Sequence, residues 1–178
     1  MRIDAYIPDL PAPLPGSRGN YAYVTPTIIR TAFRTQHGSI WPRCFSARYI
    51  LPDDRWMHEA LVNFHAFQLA VTGKQPKYLY QKGVYVCPEF AWDFKAFLHL
   101  CHVLHWTHEI GDAKIAVGFG VTGAQESSDV PAKHALTLIV KKQKGDYQIC
   151  GKEPQLAMSR QSNYGVIEDC SSFTDVLF

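Results

Sequence analysis

Histidine and cysteine are the residue types in this sequence whose spacing could do chemistry. Four of the eight histidines recur at every third position, with Cys101 among them; they are His99, His102, His105 and His108. Imidazole and thiolate on adjacent helical turns can bind zinc. His99 and His108 would point in opposite directions on an ideal helix, so the best pair is Cys101 with His105. No second pair of ligands stands at a usual spacing, and we expect no metal site.

A cysteine thiolate activated by a nearby base is the second chemistry open to these residue types. The candidate pairs combine Cys44, Cys101 or Cys150 with His37 or His134. Five cysteines and eight histidines form many pairs by chance, and no local hydrolase signature surrounds any of them. We therefore expect no catalytic residues and a protein that is not an enzyme. A cysteine- and histidine-dependent hydrolase is the alternative function.

Two further motifs carry less weight. GFGVTG, residues 118–123, matches the G-x-G-x-x-G pattern of dinucleotide-binding turns. That pattern needs a helix after it, whereas a polar loop and another strand follow here. We expect these glycines to permit a bulge or close packing against a large side chain. HALTL, residues 134–138, is similar to the histidine-threonine motif of two-histidine phosphoesterases, but its spacing differs by one residue. We expect no cofactor.

The elements that would position these residues form an α+β pattern. Helical spacing of apolar residues and β-rich segments bounded by turn residues indicate their order. The predicted elements are strand 40–51, helix 54–72, one strand or a tight hairpin opened by Gly83 over 76–87, helix 89–106, strand 112–123 and a hairpin of 134–142 with 147–151. Because short connections join the late strands, we expect a single compact α+β domain in which two main helices pack on a mostly antiparallel sheet.

Length and composition agree with one folded domain. The chain has 178 residues, and 47% of them are hydrophobic, which excludes a disordered chain. No apolar run reaches the roughly 18–20 residues of a membrane span, and we expect no signal peptide. The cysteines never form a C-x-x-C pair, which favours free thiols in a reducing compartment.

Proline dominates the first part of the chain. Four prolines fall between Pro8 and Pro15, and because proline fixes φ and lacks a backbone donor, this stretch should be extended. We predict a flexible, proline-rich arm over residues 1–20 and a globular domain over residues 21–178. Since extended peptides dock readily on folded domains, we expect self-association through Leu10, Pro11, Pro13, Leu14 and Pro15.

The net charge of +2 is unevenly distributed. Residues 1–48 carry +4 and the remaining residues carry −2, and a second group of basic residues lies in the final hairpin. Positive charge of this kind attracts the phosphates of lipid or RNA. We therefore expect contact with anionic lipid or ribonucleoprotein at Arg30, Arg34, Arg43, Arg48, Lys141, Lys142 and Lys144.

Three segments, taken in order, resemble a known family. CFSARYIL, residues 44–51, leads into a helix that ends in VTGKQPKYLY, residues 71–80, and LTLIVKKQKGDYQI, residues 136–149, follows later. This order resembles the core of rhabdovirus matrix proteins, where a helix closes in a Gly-Lys-basic-Pro turn before an aromatic strand, and a basic hairpin comes late. The arm is short and has no Pro-Pro-x-Tyr motif, so the resemblance is to the short, plant-infecting type.

The resemblance implies a structural viral protein without a cofactor. Such a protein self-associates, condenses the ribonucleoprotein and links it to the inner face of the envelope during assembly and budding. Its implied partners are further copies of itself, the viral nucleocapsid, the anionic membrane surface and host factors. Its implied location is the virion beneath the envelope, and the cytoplasm and membranes of the infected cell. A host-directed viral binding module is a further alternative.

Overall fold

The structure is a computed structural model of the chain, and it has the α+β fold that the sequence predicts. Helices pack on two sheets whose strand pairs are mostly antiparallel. The structure describes residues 7–8, 10–12, 23–38, 41–74, 87–122, 134–152 and 173–178. No helix in these ranges has the length and apolar character needed to cross a bilayer.

The elements follow one another with short connections inside each described range. In chain order they are β1 (Tyr23–Val24), α1 (Pro26–His37), β2 (Tyr49–Ile50), α2 (Asp54–Thr72), α3 (Cys87–Cys101), a π-helical turn (His102–Trp106), α4 (Thr107–Ile110), β3 (Lys114–Ile115), β4 (Val117–Thr122), β5 (His134–Gln143), β6 (Asp146–Lys152) and β7 (Phe173–Leu177).

The strands form two sheets. The smaller one has the order β1-β2-β3, with β1 antiparallel and β3 parallel to β2. The larger one has the order β6-β5-β4-β7, and all its neighbours are antiparallel. Alternate residues of β5 enter different cores, because successive side chains of a strand point to opposite faces. Ile139 packs with α2 and α3, whereas Leu138 and Val140 pack with α1.

Helix α2 has the bounds that the sequence predicts, because both of its ends carry strong local signals. The Asp53 side chain accepts a hydrogen bond from the Trp56 backbone N–H at 2.7 Å, which caps the N-terminus. Gly73 adopts the left-handed conformation, and its N–H donates to the Leu69 carbonyl at 2.8 Å. Phe64 of α2 packs against two rings of α3, with centroid separations of 5.3 and 5.6 Å.

The second predicted helix, 89–106, differs from the structure at both ends. Helix α3 begins two residues earlier, at Cys87, and its continuation from His102 to Trp106 is π-helical. The Thr107 hydroxyl donates to the His102 carbonyl at 2.9 Å, five residues back, and so occupies an acceptor in the widened turn. The turn directs Trp106 into the core, where its ring is 1% exposed.

Four elements are absent from the sequence prediction: the short elements β1 and α4, helix α1 and strand β7. Helix α1 begins after Thr25, whose hydroxyl accepts from the Ile28 N–H, and Pro26 occupies its first turn. Strand β7 pairs with β4 across a long stretch of sequence. Within the described part of the predicted strand 40–51, residues 41–51, strand pairing occurs at Tyr49–Ile50 and in a single bridge between Arg43 and Leu177. The prediction for residues 76–86 lies outside the described residues.

Residues 10 and 11 are anchored on the chain's own domain. Leu10 is 2% exposed and packs among residues of α2 and α3. The indole N–H of Trp106 donates to the Leu10 carbonyl at 2.7 Å, and that of Trp56 donates to the Pro11 carbonyl at 2.8 Å. At Leu10 and Pro11 the predicted arm therefore contacts its own domain, because the two buried indole N–H groups take their acceptors from it. Self-association through this segment stays a prediction. Pro13, Leu14 and Pro15 lie outside the described residues.

Replacing Leu10 by alanine tests this anchor. Removing a fully buried leucine side chain leaves a cavity, so Leu10→Ala should lower the free energy of unfolding by about 2–5 kcal/mol. Leu69→Ala is the matched control, because Leu69 is 45% exposed and should lose less than about 1 kcal/mol. Urea unfolding, carried out at two protein concentrations, measures the free energy of unfolding of both variants. A Leu10→Ala variant as stable as the wild type would mean that the segment is a free arm.

Candidate functional site

Helix α3 packs on the larger sheet along strand β4, and two contacts show in which direction it runs relative to that strand. The Lys95 Nζ donates to the Val117 carbonyl at 3.0 Å, at the start of β4. One turn earlier on the helix, the Trp92 ring meets the Phe119 ring edge to face, with centroids 5.8 Å apart. The helix therefore runs antiparallel to β4, and its N-terminus lies toward the end of that strand.

The same alignment brings Cys87 and His134 to one end of the sheet. From Trp92 back to Cys87, the helix rises about 7.5 Å. From Phe119 to Thr122, strand β4 advances about 10 Å. Thr122 is the backbone partner of His134, the first residue of β5. The backbone of a cysteine at a helix N-terminus thus reaches the level at which a histidine begins the neighbouring strand.

Strand β4, which leads to this end of the sheet, is closely packed by its neighbours. The register between β4 and β7 shifts between Val121 and Thr122, and such irregularities are frequent beside active sites. A Cβ atom at Gly118 would lie 2.7 Å from the Leu177 carbonyl oxygen, and one at Gly120 would lie 2.8 Å from the Phe173 ring. This confirms that these glycines serve packing, and β4 has no helix directly after it in the described residues.

The thiols that the sequence analysis paired with histidines are not activated. Burial raises the pKa of Cys44 and of Cys150, and it raises the pKa of Cys101 to about 12. The His37 ring stacks within 4.8 Å of Phe33 and 5.2 Å of Phe173. These three cysteines therefore remain protonated at neutral pH. A fourth cysteine, Cys87, lies at the N-terminus of α3.

Cys87 was missed because the segment before it reads as a strand. The run PKYLYQKGVYVC is rich in aromatic and β-branched residues, and the predicted strand 76–87 ended at this cysteine. The local signal that could have found the helix is Pro88, because proline favours the first turn of a helix. The sequence analysis paired His134 with Cys44, Cys101 or Cys150, and burial raises the pKa of all three thiols.

The row of histidines does not form a metal site. His102 is 6% exposed; its Nε2 donates to the Gly111 carbonyl at 2.7 Å, and its Nδ1 accepts from Lys114 Nζ at 2.8 Å. These partners require a neutral imidazole with its proton on Nε2. His105 and His108 are exposed. Among the described residues, no three histidine, cysteine or acidic side chains are grouped for a metal ion.

A cavity of about 220 Å³ lies at the other end of α3. Its lining residues are Phe45, Lys95, Leu98, His99, His102, Lys114, Ile115, Val117 and Phe178. Burial lowers the pKa of Lys95 to about 8, with the Cys44 thiol acting weakly in the other direction. Burial, followed by Lys114 and His102, also lowers the pKa of His99. This cavity was not anticipated from the sequence, because its walls come from distant segments.

Three of the seven basic residues predicted to contact anions have partners within the chain. Arg48 pairs with Asp112 at 2.7 Å, and Lys141 pairs with Asp54. Arg30 donates to the Pro42 carbonyl at 3.3 Å and lies over the Trp41 ring. The side chains of the other four are exposed on α1, on the bridge to β7 and on the β5–β6 hairpin; these are Arg34, Arg43, Lys142 and Lys144.

Comparisons with known proteins identify a related fold. No protein-family model matches the sequence, and no curated protein matches it. A solved structure described as the PSL1a-E64 complex is similar, with a TM-score of 0.62 and 13% sequence identity. The match covers 88% of this chain and 51% of that one, so this chain spans about half its length. At this identity the likeness shows the fold alone, and the resemblance to matrix proteins stays a prediction.

The buried ammonium of Lys95 makes stability depend on pH in a way that can be measured. Its pKa is about 8 in the folded chain against an ordinary 10.5. The unfolded chain therefore holds this proton more tightly, and the free energy of unfolding should rise by up to about 3 kcal/mol as pH increases from about 8 to 10.5. Lys95→Met should lack this rise.

The measurement is urea unfolding at pH 7.5 and pH 10 for the wild type, Lys95→Met and Lys74→Met. Lys74 is exposed after the end of α2, so its variant is the matched control and should follow the wild type. Because cysteines and tyrosines also ionise at alkaline pH, the difference between wild type and variant is the quantity to compare. Equal pH dependence in all three proteins would contradict a buried, charged Lys95.

Proposed function

We propose that this protein is a hydrolase in which the Cys87 thiolate is the nucleophile and His134 is the general base and acid. The observation that carries the proposal is the backbone register at one end of the sheet. Helix α3 begins at Cys87, and β5 begins at His134, opposite the end of the strand along which α3 packs. Nucleophile and base need this proximity.

The position of Cys87 suits a thiolate. The first backbone N–H groups of a helix have no partner within the helix, and the helix dipole is positive at that end. Both effects lower the pKa of thiols in general, and a nearby imidazolium lowers it further. Cys87 stands at the start of a 15-residue helix whose inner face is fixed by buried phenylalanines.

The reaction is acyl transfer from an ester or amide. The Cys87 thiolate attacks the carbonyl carbon to form a tetrahedral intermediate, and this collapses as His134 donates a proton to the leaving alcohol or amine. The product is a thioester on Cys87. His134 then accepts a proton from water as the water attacks the thioester, which releases the acid and restores the thiolate and imidazolium.

The sequence supplies a candidate for holding the imidazole. Lys152, the last residue of β6, is the partner of Thr137, three residues beyond His134 on β5. Glu153 follows Lys152 in the sequence. A carboxylate that accepts from the distal imidazole nitrogen fixes the ring in cysteine and serine hydrolases. Glu153 lies outside the described residues, and we propose this positioning role for it from its place in the sequence alone.

The related fold also supports a thiol-dependent activity. The similar structure is a complex that its description names with E64. E64 is an epoxide, and epoxides alkylate thiolates. Since the two proteins share a fold and this chain offers a cysteine at a helix N-terminus, E64 is a suitable first probe here.

Thiol labelling at pH 6 tests the nucleophile directly. An ordinary thiol is less than about 1% ionised at this pH, so only an activated cysteine should react quickly with E64 or iodoacetamide. Peptide mass spectrometry of the labelled wild type should place the adduct on Cys87. Cys44→Ala is the matched control and should be labelled like the wild type, whereas Cys87→Ala should take up no label.

Turnover of p-nitrophenyl acetate tests the base. Cys87→Ala and His134→Ala should each lower kcat/KM by about 10³-fold or more. Glu153→Gln should lower it less and shift the pH profile, because it acts through the imidazole. An acetyl adduct on Cys87, detected by mass, would show the thioester. The proposal is wrong if Cys87 reacts at pH 6 no faster than Cys44.

The matrix-protein function predicted from resemblance is separable from this proposal. It requires assembly at low salt and binding to acidic vesicles, neither of which involves a thiolate. Two of its seven predicted contact residues, Arg48 and Lys141, are neutralised by acidic partners. Sedimentation of Cys87→Ala with phosphatidylserine vesicles would isolate that function, because this variant keeps every basic residue.

A further inference from the structure

The cavity at the C-terminal half of α3 has apolar walls and a shape fit for a small ligand. Leu98 of α3, Ile115 of β3 and Val117 of β4 line its inner surface, and the chain at Phe178 forms part of the lining. Phe45 stands on the rim with 74% of its surface exposed, although its backbone N–H is held by the Phe178 carbonyl at 3.3 Å. A large exposed ring beside a cavity is typical of a ligand site.

Basic groups project into this apolar space. Lys95, Lys114, His99 and His102 contribute to the lining, and no aspartate or glutamate does so among the described residues. The Asp112 carboxylate acts on Lys114 but is bound by Arg48 at 2.7 Å. Burial keeps the Cys44 thiol beside Lys95 protonated. The charge inside the cavity is therefore positive.

The two ammonium groups are held in place and retain donors. Lys95 uses one hydrogen on the Val117 carbonyl, and Lys114 uses one on His102 Nδ1. Each ammonium has three hydrogens, so each has two further donors to offer. His102 is itself fixed by the Gly111 carbonyl and opens the π-helical turn. Such turns occur frequently at functional sites.

We propose that this cavity binds a small carboxylate with an apolar, ring-sized body. The carboxylate lies toward Lys95 and Lys114, and the body lies against Leu98, Val117 and the Phe45 ring. A dry cavity of about 150 Å³ holds a benzene ring, so 220 Å³ holds a ring with a short acidic arm. Lys95 is eight residues from Cys87 on α3, about 12 Å along the helix, so this site is separate from the proposed catalytic one.

Calorimetric titration with 3-phenylpropionate tests the proposal in the full-length chain. Acetate has the charge without the ring, and 3-phenylpropan-1-ol has the ring without the charge. We expect 3-phenylpropionate to bind at least about tenfold more tightly than either, because a hydrogen-bonded charge and apolar burial both contribute.

Variants test whether the lysines bind the carboxylate and whether the apolar lining binds the ring. Lys95→Met and Lys114→Met should each weaken 3-phenylpropionate by about tenfold and leave the alcohol unchanged. Phe45→Ala should weaken the acid and the alcohol alike, and its exposure means that the fold should tolerate the change. Lys74→Met, on the surface, is the matched control and should bind as the wild type does.

The outcomes distinguish this site from nonspecific anion binding and from the hydrolase. Equal binding of acetate and 3-phenylpropionate would overturn the proposal, since surface lysines attract any anion. Equal binding of the acid and the alcohol would overturn the role of the lysines, and no binding of any compound would overturn the site. Cys87→Ala should bind 3-phenylpropionate normally, so failure of the catalytic proposal leaves this one standing.

Discussion

The packing of α3 along β4 is the constraint on which the rest of the structure depends. Phe90, Phe94 and Phe97 are at most 1% exposed, and burying each contributes about 1.5–3 kcal/mol. Because this face is buried against α2 on one side and the sheet on the other, the helix cannot rotate or slide without exposing it. Two of its residues are thereby placed: Cys87, at its N-terminus, toward the His134 end of the sheet, and Lys95, in its middle, where β4 begins.

The face of β4 that points away from α3 is closely packed as well. Glycine at positions 118 and 120 leaves room for the Phe178 and Phe173 rings, which belong to the core beneath α1. Phe173 also meets Phe33 of α1 with ring centroids 5.3 Å apart. The larger sheet is thus covered on both faces, which explains why the middle of β5 reads as a nearly continuous apolar run rather than as an alternation.

The parts of the fold that were predictable have local signals. Asp53 and Gly73, which mark the two ends of α2 in the sequence, cap the two ends of the helix in the structure. The turn at Gly145 joins β5 and β6, which pair residue by residue. The parts that were missed depend on distant partners. Strand β7 exists because β4 offers it an edge, and His102 is buried because Lys114 binds it from twelve residues away. A polar stripe on a helix does not reveal such a partner.

Lys95 bears on what the cavity is for. A methionine of similar length would fill the same position without a charge, whereas the lysine keeps an ammonium in an apolar site at a cost of about 3 kcal/mol near neutral pH. One hydrogen bond to the Val117 carbonyl offsets only part of this cost. A carboxylate beside the ammonium would favour its charged form. The position of the Lys95 ammonium in the apolar lining therefore agrees with the anionic occupant that the cavity geometry indicates.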